Sequence, residues 1–200
     1  MPSVGKFPAF PVKLRPPAAP APDAITVPAQ APLFVVADTH DNARRAARLA
    51  KVTYDELPAI LTPQAAKAAE SYVLPPMHLA RGDYQAAFER APHSVKGELY
   101  VGGQEQFYLE GQIAYSIPKE NKGMLVQCST QHPSEMQHVV AHALGVHSHN
   151  IVVECRRMGG GFGGKESQSA LWCAASSIAA SILKRPVKLR ADRDDDMLVT

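Results

Sequence analysis

A chain of 200 residues is long enough for one medium domain or two small ones, and 46% hydrophobic with 20% charged residues is an ordinary globular composition. A net charge of +2 excludes binding to nucleic acid or an anionic membrane through bulk charge, and the cluster Arg44, Arg45, Arg48 and Lys51 reads as the wet face of a helix. Cys128, Cys155 and Cys173 follow no zinc or iron–sulfur spacing, so each is read as a small buried hydrophobe in a reducing compartment.

No apolar signal-peptide core opens the chain and no run approaches membrane-spanning length, which makes a soluble, cytoplasmic protein the expectation. Residues 1–32 hold nine of the seventeen prolines and few aliphatic side chains, the composition of an extended or disordered leader. Leu33–Ala37 reads as a buried strand, followed by a helix capped by Asp38 or Thr39 that turns its alanines and Leu49 inward. Val52–Leu57 reads as a second strand, ended by Pro58, and Gln64–Ala69 as a short helix. Asp83 caps another short helix ending near Arg90, and Ser94–Tyr100 alternates as a strand does.

Strands are expected at Ile113–Ile117 and Met124–Cys128, with turn residues from Pro118 to Gly123 between them. Pro133 suits a first helical turn, and Met136, Val139, Val140, Ala143 and Leu144 recur at helical spacing up to Gly145. Ile151–Glu154 is a strand, a helix rich in Ala and Ser runs from about Glu166 to Leu183, and Val187–Arg190 is a last strand. Strand, loop, helix and strand over this stretch have the order of a βαβ crossover. Asp192–Asp196 follows with no closing element, and the apolar surface looks too small to close such a sheet alone. The fold class expected is mixed α/β (α+β), and the chain reads as a piece of something larger.

Between the strand at Ile151 and the long helix, five of the eight positions from Gly159 to Glu166 are glycine. Glycine lets a ligand approach bare peptide closely, and a helix opening after such a loop aims unpaired amides at whatever lies in front. Three chemistries compete. Gly159-x4-Gly164-Lys165 satisfies most of a P-loop, but Glu166 stands where a magnesium-holding hydroxyl belongs. Gly159-x-Gly161-x-x-Gly164 matches a dinucleotide fingerprint, with Asp192 ending the following strand, although any near-continuous glycine run contains that spacing. The third is a loop that wraps a bulky polar cofactor, with the Glu166 carboxylate aimed into the same cavity; against it, Glu166 reads as a plain helix-start acid. A second cluster, Gln104 and Glu105 after Gly102-Gly103, offers an amide suited to a metal-oxo or carbonyl group, or is only a polar turn.

Gly102-Gly103-Gln104-Glu105-Gln106-Phe107-Tyr108-Leu109-Glu110-Gly111, Ser129-Thr130-Gln131-His132-Pro133, Arg156–Glu166 and Asp192-Arg193-Asp194-Asp195-Asp196-Met197 occur together in this order. The combination resembles the molybdenum-binding subunits of the xanthine dehydrogenase and aldehyde oxidase family, most of all the bacterial two-subunit xanthine dehydrogenases. The resemblance runs from about Leu33 to Thr200. It implies that residues 33–78 are the end of a "hammerhead" α/β domain and residues 79–200 the first part of a molybdenum-cofactor-binding domain.

By position, the resemblance implies that Gln104 hydrogen-bonds an oxo ligand of molybdenum, acting on the metal from its second shell. Gly161, Phe162 and Gly163 would line the molybdopterin cofactor with backbone amides, and Glu166 would be the catalytic residue, hydrogen-bonding a purine as charge builds on its ring. The implied reaction is oxidative hydroxylation of hypoxanthine or xanthine in purine catabolism. Electrons would leave through [2Fe-2S] clusters and FAD of an iron–sulfur/FAD partner subunit in a hetero-oligomer, consistent with the cysteine spacing here. Relatives acting on aldehydes generally carry an apolar residue at the Glu166 position, so its presence favours a purine; an aldehyde oxidase-type subunit and a non-catalytic relic are the alternatives. Gln106 stands where the family usually has His. The chain stops before the family's substrate-orienting arginine, second cofactor loop and base glutamate, so this stretch alone is expected to be inactive. His132, His138 and His142 read as a solvated face rather than a ligand set.

Overall fold

The computed structural model describes residues 34–51 and 58–199. The expected leader over 1–32 and the strand expected at Val52–Leu57 lie outside them. The chain divides into two units, whose described residues are 58–82 in one and 34–51 with 83–199 in the other. The first carries helix α2 (Pro63–Ala68), which Thr62 caps by accepting a hydrogen bond from the Ala65 amide.

In the second unit the first elements are local. Helix α1 (His40–Ala47) is capped by Thr39, and helix α3 (Tyr84–Arg90) by Asp83, as their sequences predict. The strands expected at 33–37 and 94–100 are absent among the described residues, which have no ladder partner there. Nor does α1 turn an apolar face inward: it buries no residue, and Leu49 is 81% exposed. Alternation and a hydrophobic stripe give a segment only the propensity for burial; here nothing is packed on the stripe. α1 is instead held by the ion pair of Arg44 with Asp192.

The core is a four-stranded sheet of β1 (Ile113–Pro118), β2 (Met124–Cys128), β3 (Ile151–Glu154) and β4 (Val187–Arg190), in the order β3-β2-β1-β4. β1 is antiparallel to β2 and β4, and β2 is parallel to β3. Alternate residues Ala114, Ser116, Met124, Val126 and Cys128 turn to one buried face, as the period-2 pattern requires. Helices α4 (Pro133–Leu144) and α5 (Ser169–Leu183) pack there, adding Met136, Val140, Trp172 and Cys173 to the core.

α4 ends at Gly145 in the left-handed conformation, as expected, but buries Ala141 and leaves Ala143 exposed. Cys128 and Cys173 are buried and Cys155 is only half-buried, so the uniform reading of the cysteines is corrected. Hydrogen bonding with Cys128, together with burial, pushes the Cys173 thiol up.

The small residues of α5 do bring it close to the sheet. Ser116 Oγ lies 2.8 Å from Ser176 Oγ and 2.9 Å from Ser177 Oγ, and Ser176 Oγ donates to the Trp172 carbonyl at 2.7 Å. Because each hydroxyl has one proton, Ser116 must donate to Ser176 and Ser177 to Ser116. α5 begins at Ser169, later than Glu166, and carries the chain from the β3 edge across β2 and β1 to β4. Nor is the acidic stretch after β4 structureless: helix α6 (Arg193–Val199) starts there and buries Asp196.

This topology brings the motifs together. The register places the start of β1 beside the ends of β2 and β4, and the end of β3 beside that of β2. Segments 104–112, 129–132, 155–168 and 191–196 therefore converge at one end of the sheet. A hollow of about 350 Å³ lies at the other, between the β1–β2 turn and the last turns of α4 and α5.

Candidate cofactor site

The convergent end is built on buried polar contacts. Asp196, almost fully enclosed, accepts hydrogen bonds from Tyr108 Oη at 3.2 Å and the Gln112 amide at 3.1 Å. Gln112 Nε2 donates to Tyr108 Oη at 3.1 Å and to the Gly164 carbonyl at 2.8 Å. Arg193 reaches Asp196 at 3.4 Å, donates to the Leu109 carbonyl and lies 5.9 Å from the centre of the Phe107 ring. The segment leading into β1 is thereby fixed to both α6 and the glycine loop.

Lys165 is fully buried beneath that loop. Its Nζ donates to Glu110 Oε2 at 3.1 Å and Ser129 Oγ at 2.8 Å, and sits 4.6 Å from the centre of the Tyr108 ring. Glu110 Oε2 also accepts from Ser129 Oγ at 2.6 Å and the Gly159 amide at 2.9 Å. Burial pushes the Glu110 carboxyl up, but hydrogen bonds from Ser129, Gly159 and Lys165, with the lysine's charge, outweigh it and hold the group below its ordinary range. Gln131 grips the far side of the loop: its Oε1 accepts from the amides of Gly163 at 3.0 Å and Lys165 at 3.2 Å. Its own amide donates to the Lys165 carbonyl at 2.8 Å.

The loop's glycines are demanded by these contacts. A Cβ on Gly161 would lie 2.6 Å from Gln131 Oε1, and one on Gly164 would lie 2.6 Å from Cε1 of the buried Tyr108 ring. Gly164→Ala is therefore expected to lower the unfolding free energy by roughly 1–3 kcal/mol, the cost of overpacking a rigid site. A fall in the denaturant midpoint at constant slope is the expected reading, and an unshifted midpoint would contradict it.

Of the residues singled out from the sequence, Gly161 is buried, Phe162 exposed and Gly163 half-buried within the loop. Among the described residues the Gly161 and Phe162 amides donate to no acceptor, whereas the Gly163 amide is taken by Gln131. Phe162 has φ 52° and a ring that is 76% exposed. Glu166 is exposed, and its side chain makes no hydrogen bond or ion pair among the described residues. It precedes Gln168, the N-cap of α5, so the expectation of a helix-start acid is corrected: it stands in a turn ahead of the helix. Gln104 is exposed on an extended segment. Two residues on, the Gln106 side-chain amide carbon lies 3.2 Å from the Cβ position of Gly164.

The supporting residues Glu110, Ser129, Gln131 and Lys165 all lie in the motifs read from the sequence, but no role was legible for them. A lysine after a glycine run reads as exposed; the available signal was Glu110 and Ser129 in two other motifs, a carboxylate and a hydroxyl able to satisfy a buried ammonium. Buried and ion-paired, Lys165 is not presented to a phosphate, which removes the P-loop reading. His132 pairs with Glu135 at 2.9 Å and His138 with Ser148 Oγ at 3.0 Å, both on the exposed surface. Among the described residues no three His, Cys, Asp or Glu side chains gather as a metal-ligand set.

A mixed sheet carries at its convergent end a glycine loop on a buried polar footing, with two loop amides that donate to no acceptor among the described residues. Residues 65–200 match the molybdopterin cofactor-binding domain family, and the chain belongs to it. It is 47% identical over 167 residues to xanthine dehydrogenase/oxidase of Mus musculus, which covers 83% of this chain and 12% of that relative. Among solved structures it is similar to quinoline 2-oxidoreductase of Pseudomonas putida 86 (TM-score 0.69, 25% identity, 80% of this chain and 21% of that one). It also resembles the aldehyde oxidoreductase of Desulfovibrio gigas (TM-score 0.68, 28% identity, 82% and 19%). The chain thus spans about an eighth of the length of the curated relative it matches.

Proposed function

We propose that this domain works in a molybdenum hydroxylase that oxidises hypoxanthine and xanthine in purine catabolism, as part of an assembled enzyme. The observation that carries the reading is the pair of amides at Gly161 and Phe162 that donate to no acceptor among the described residues, on a loop that ends at the unengaged carboxylate of Glu166. Identity to the mouse xanthine enzyme well above that to the quinoline and aldehyde enzymes supports a purine.

The donors present fit an acceptor-rich pterin and metal-oxo group. Gly161 and Phe162 supply bare N–H groups, and Gly163 has open space at its Cβ position. When bound, the molybdenum cofactor supplies the oxygen transfer and takes up the electrons. The protein's part is to hold and orient. Gln104, on the neighbouring segment, offers an amide donor to an oxo group. Glu166 accepts a hydrogen bond from a ring N–H of the purine, or shares its proton, as negative charge develops on the heterocycle. The exposed ring of Phe162 gives the purine an apolar surface to lie against.

The wider assignment is an iron–sulfur/FAD partner subunit carrying [2Fe-2S] clusters and FAD, in a cytoplasmic hetero-oligomer with no nucleic-acid or membrane role. Among the described residues no helix is long and apolar enough to cross a membrane. The test is to purify the protein with whatever subunits accompany it, then measure molybdenum, pterin and xanthine turnover together. Near-stoichiometric molybdenum and xanthine turnover are expected. Bound molybdenum with turnover of aldehydes but not xanthine would reject the purine assignment, and absence of molybdenum would reject the whole reading.

A further inference from the structure

We propose that Lys165 is a positioning residue that holds both ends of the glycine loop at once, fixing the backbone that carries the unbonded Gly161 and Phe162 amides. The purpose of that fixing rests on the function proposed above; the holding itself does not.

Lys165 grips one end with its side chain and the other with its backbone. Its ammonium binds Glu110 Oε2 at 3.1 Å, and the same oxygen takes the Gly159 amide at 2.9 Å, where the loop begins. At the far end, Gln131 receives the Lys165 amide at 3.2 Å and donates to the Lys165 carbonyl at 2.8 Å, while Thr130 Oγ1 donates to that carbonyl at 3.1 Å. Between the ends, Gly160 (φ 97°), Phe162 (φ 52°) and Gly163 (φ 92°) occupy the left-handed side of backbone space. Phe162 pays for that conformation in steric crowding that glycine escapes, so a loop with one end released would relax toward ordinary φ and turn its amides.

A lysine on a cofactor loop would ordinarily extend its ammonium into water. This one is withdrawn wholly beneath the loop, where Glu110, Ser129 and the Tyr108 face satisfy it. Desolvating an ammonium is costly, and the arrangement offsets that cost only while Glu110 stays in place. Since Glu110 also receives the Gly159 amide, the ion pair and the loop's first tie stand or fall together.

The test is amide hydrogen exchange resolved by residue, on the full protein from a host unable to make molybdopterin, so that no cofactor contributes protection. Lys165→Met removes the charge and keeps the bulk. The bonded amides of Gly159, Gly163 and Gly164 are expected to exchange at least about 10-fold faster, while those in the middle of α4 and α5 change less than about twofold. Unchanged loop amides would overturn the proposal. So would acceleration of the same size throughout α4 and α5, because Lys165 would then stabilise the domain generally. Should Lys165→Met fail to fold, Glu110→Gln retains a side-chain acceptor but loses the ion pair, and is expected to accelerate exchange at Gly159; no change at Gly159 would be equally fatal. Absence of molybdenum from the wild-type enzyme would sink the proposed function but leave these exchange rates as informative as before.

Discussion

Replacing Glu166 by alanine is expected to lower xanthine turnover by about 100-fold, the scale of removing one group that stabilises developing charge. Molybdenum bound per protein should stay at the wild-type level. The separation of the two effects follows from the structure. Glu166 is exposed, contacts no described residue through a hydrogen bond or ion pair, and stands outside the network that holds the loop. Its loss removes nothing on which folding or loop geometry depends. The measurement is turnover per bound molybdenum, with metal content assayed on the same preparation. Reduced metal content with normal turnover per metal would show that Glu166 supports the cofactor and does not act on the purine.

The second large effect is on stability. Glu110→Ala leaves the Lys165 ammonium buried with only Ser129 and the Tyr108 ring as partners. Breaking a fully enclosed ion pair from one side costs roughly 3–5 kcal/mol. Here about 2–3 kcal/mol is expected, because the Glu110 side chain keeps 41% of its surface in water and the wild-type pair is already partly screened.

The pH dependence has a definite sign. The folded Glu110 carboxyl lies below its unfolded value of about 4.3. Its contribution is complete above that value and disappears as pH falls through the lower, folded one. Urea midpoints of wild type and Glu110→Ala should therefore differ most near neutral pH and converge below pH of about 4. A constant gap down to low pH would mean that the carboxylate's charge does not support the fold.

What was legible in the sequence was what local rules govern. The strands at 113–118 and 124–128, the Pro133 start and Gly145 end of α4, and the Thr39 and Asp83 caps follow from turn chemistry and periodicity. The segment Ser94–Tyr100 reads as a strand, yet Val95, Leu99 and Tyr100 are almost fully exposed, because a strand-like pattern cannot specify a neighbouring strand. The acidic run after β4 reads as a stretch without a closing element, and the Tyr108, Gln112 and Arg193 contacts explain why Asp196 is buried inside a helix. The site divides the same way. Glycine at 161 and 164 announces close approach, but which side chains approach, Gln131 and Tyr108, depends on strand order across the whole sheet.

That strand order also sets a timetable. β1 meets β2 across a tight turn, but its other neighbour, β4, arrives only after α4, β3, the glycine loop and α5 have been made. Pairings so distant along the chain form slowly, and here the latest of them bring in Asp196, on which Tyr108 and Gln112 depend. A ribosome that has released residues only as far as Arg190 has supplied all four strands of the described sheet, yet the floor under the loop still lacks the Asp196 carboxylate. The footing of the glycine loop is thus completed only after the long-range pairings are made, and the β1–β2 hairpin alone does not supply it.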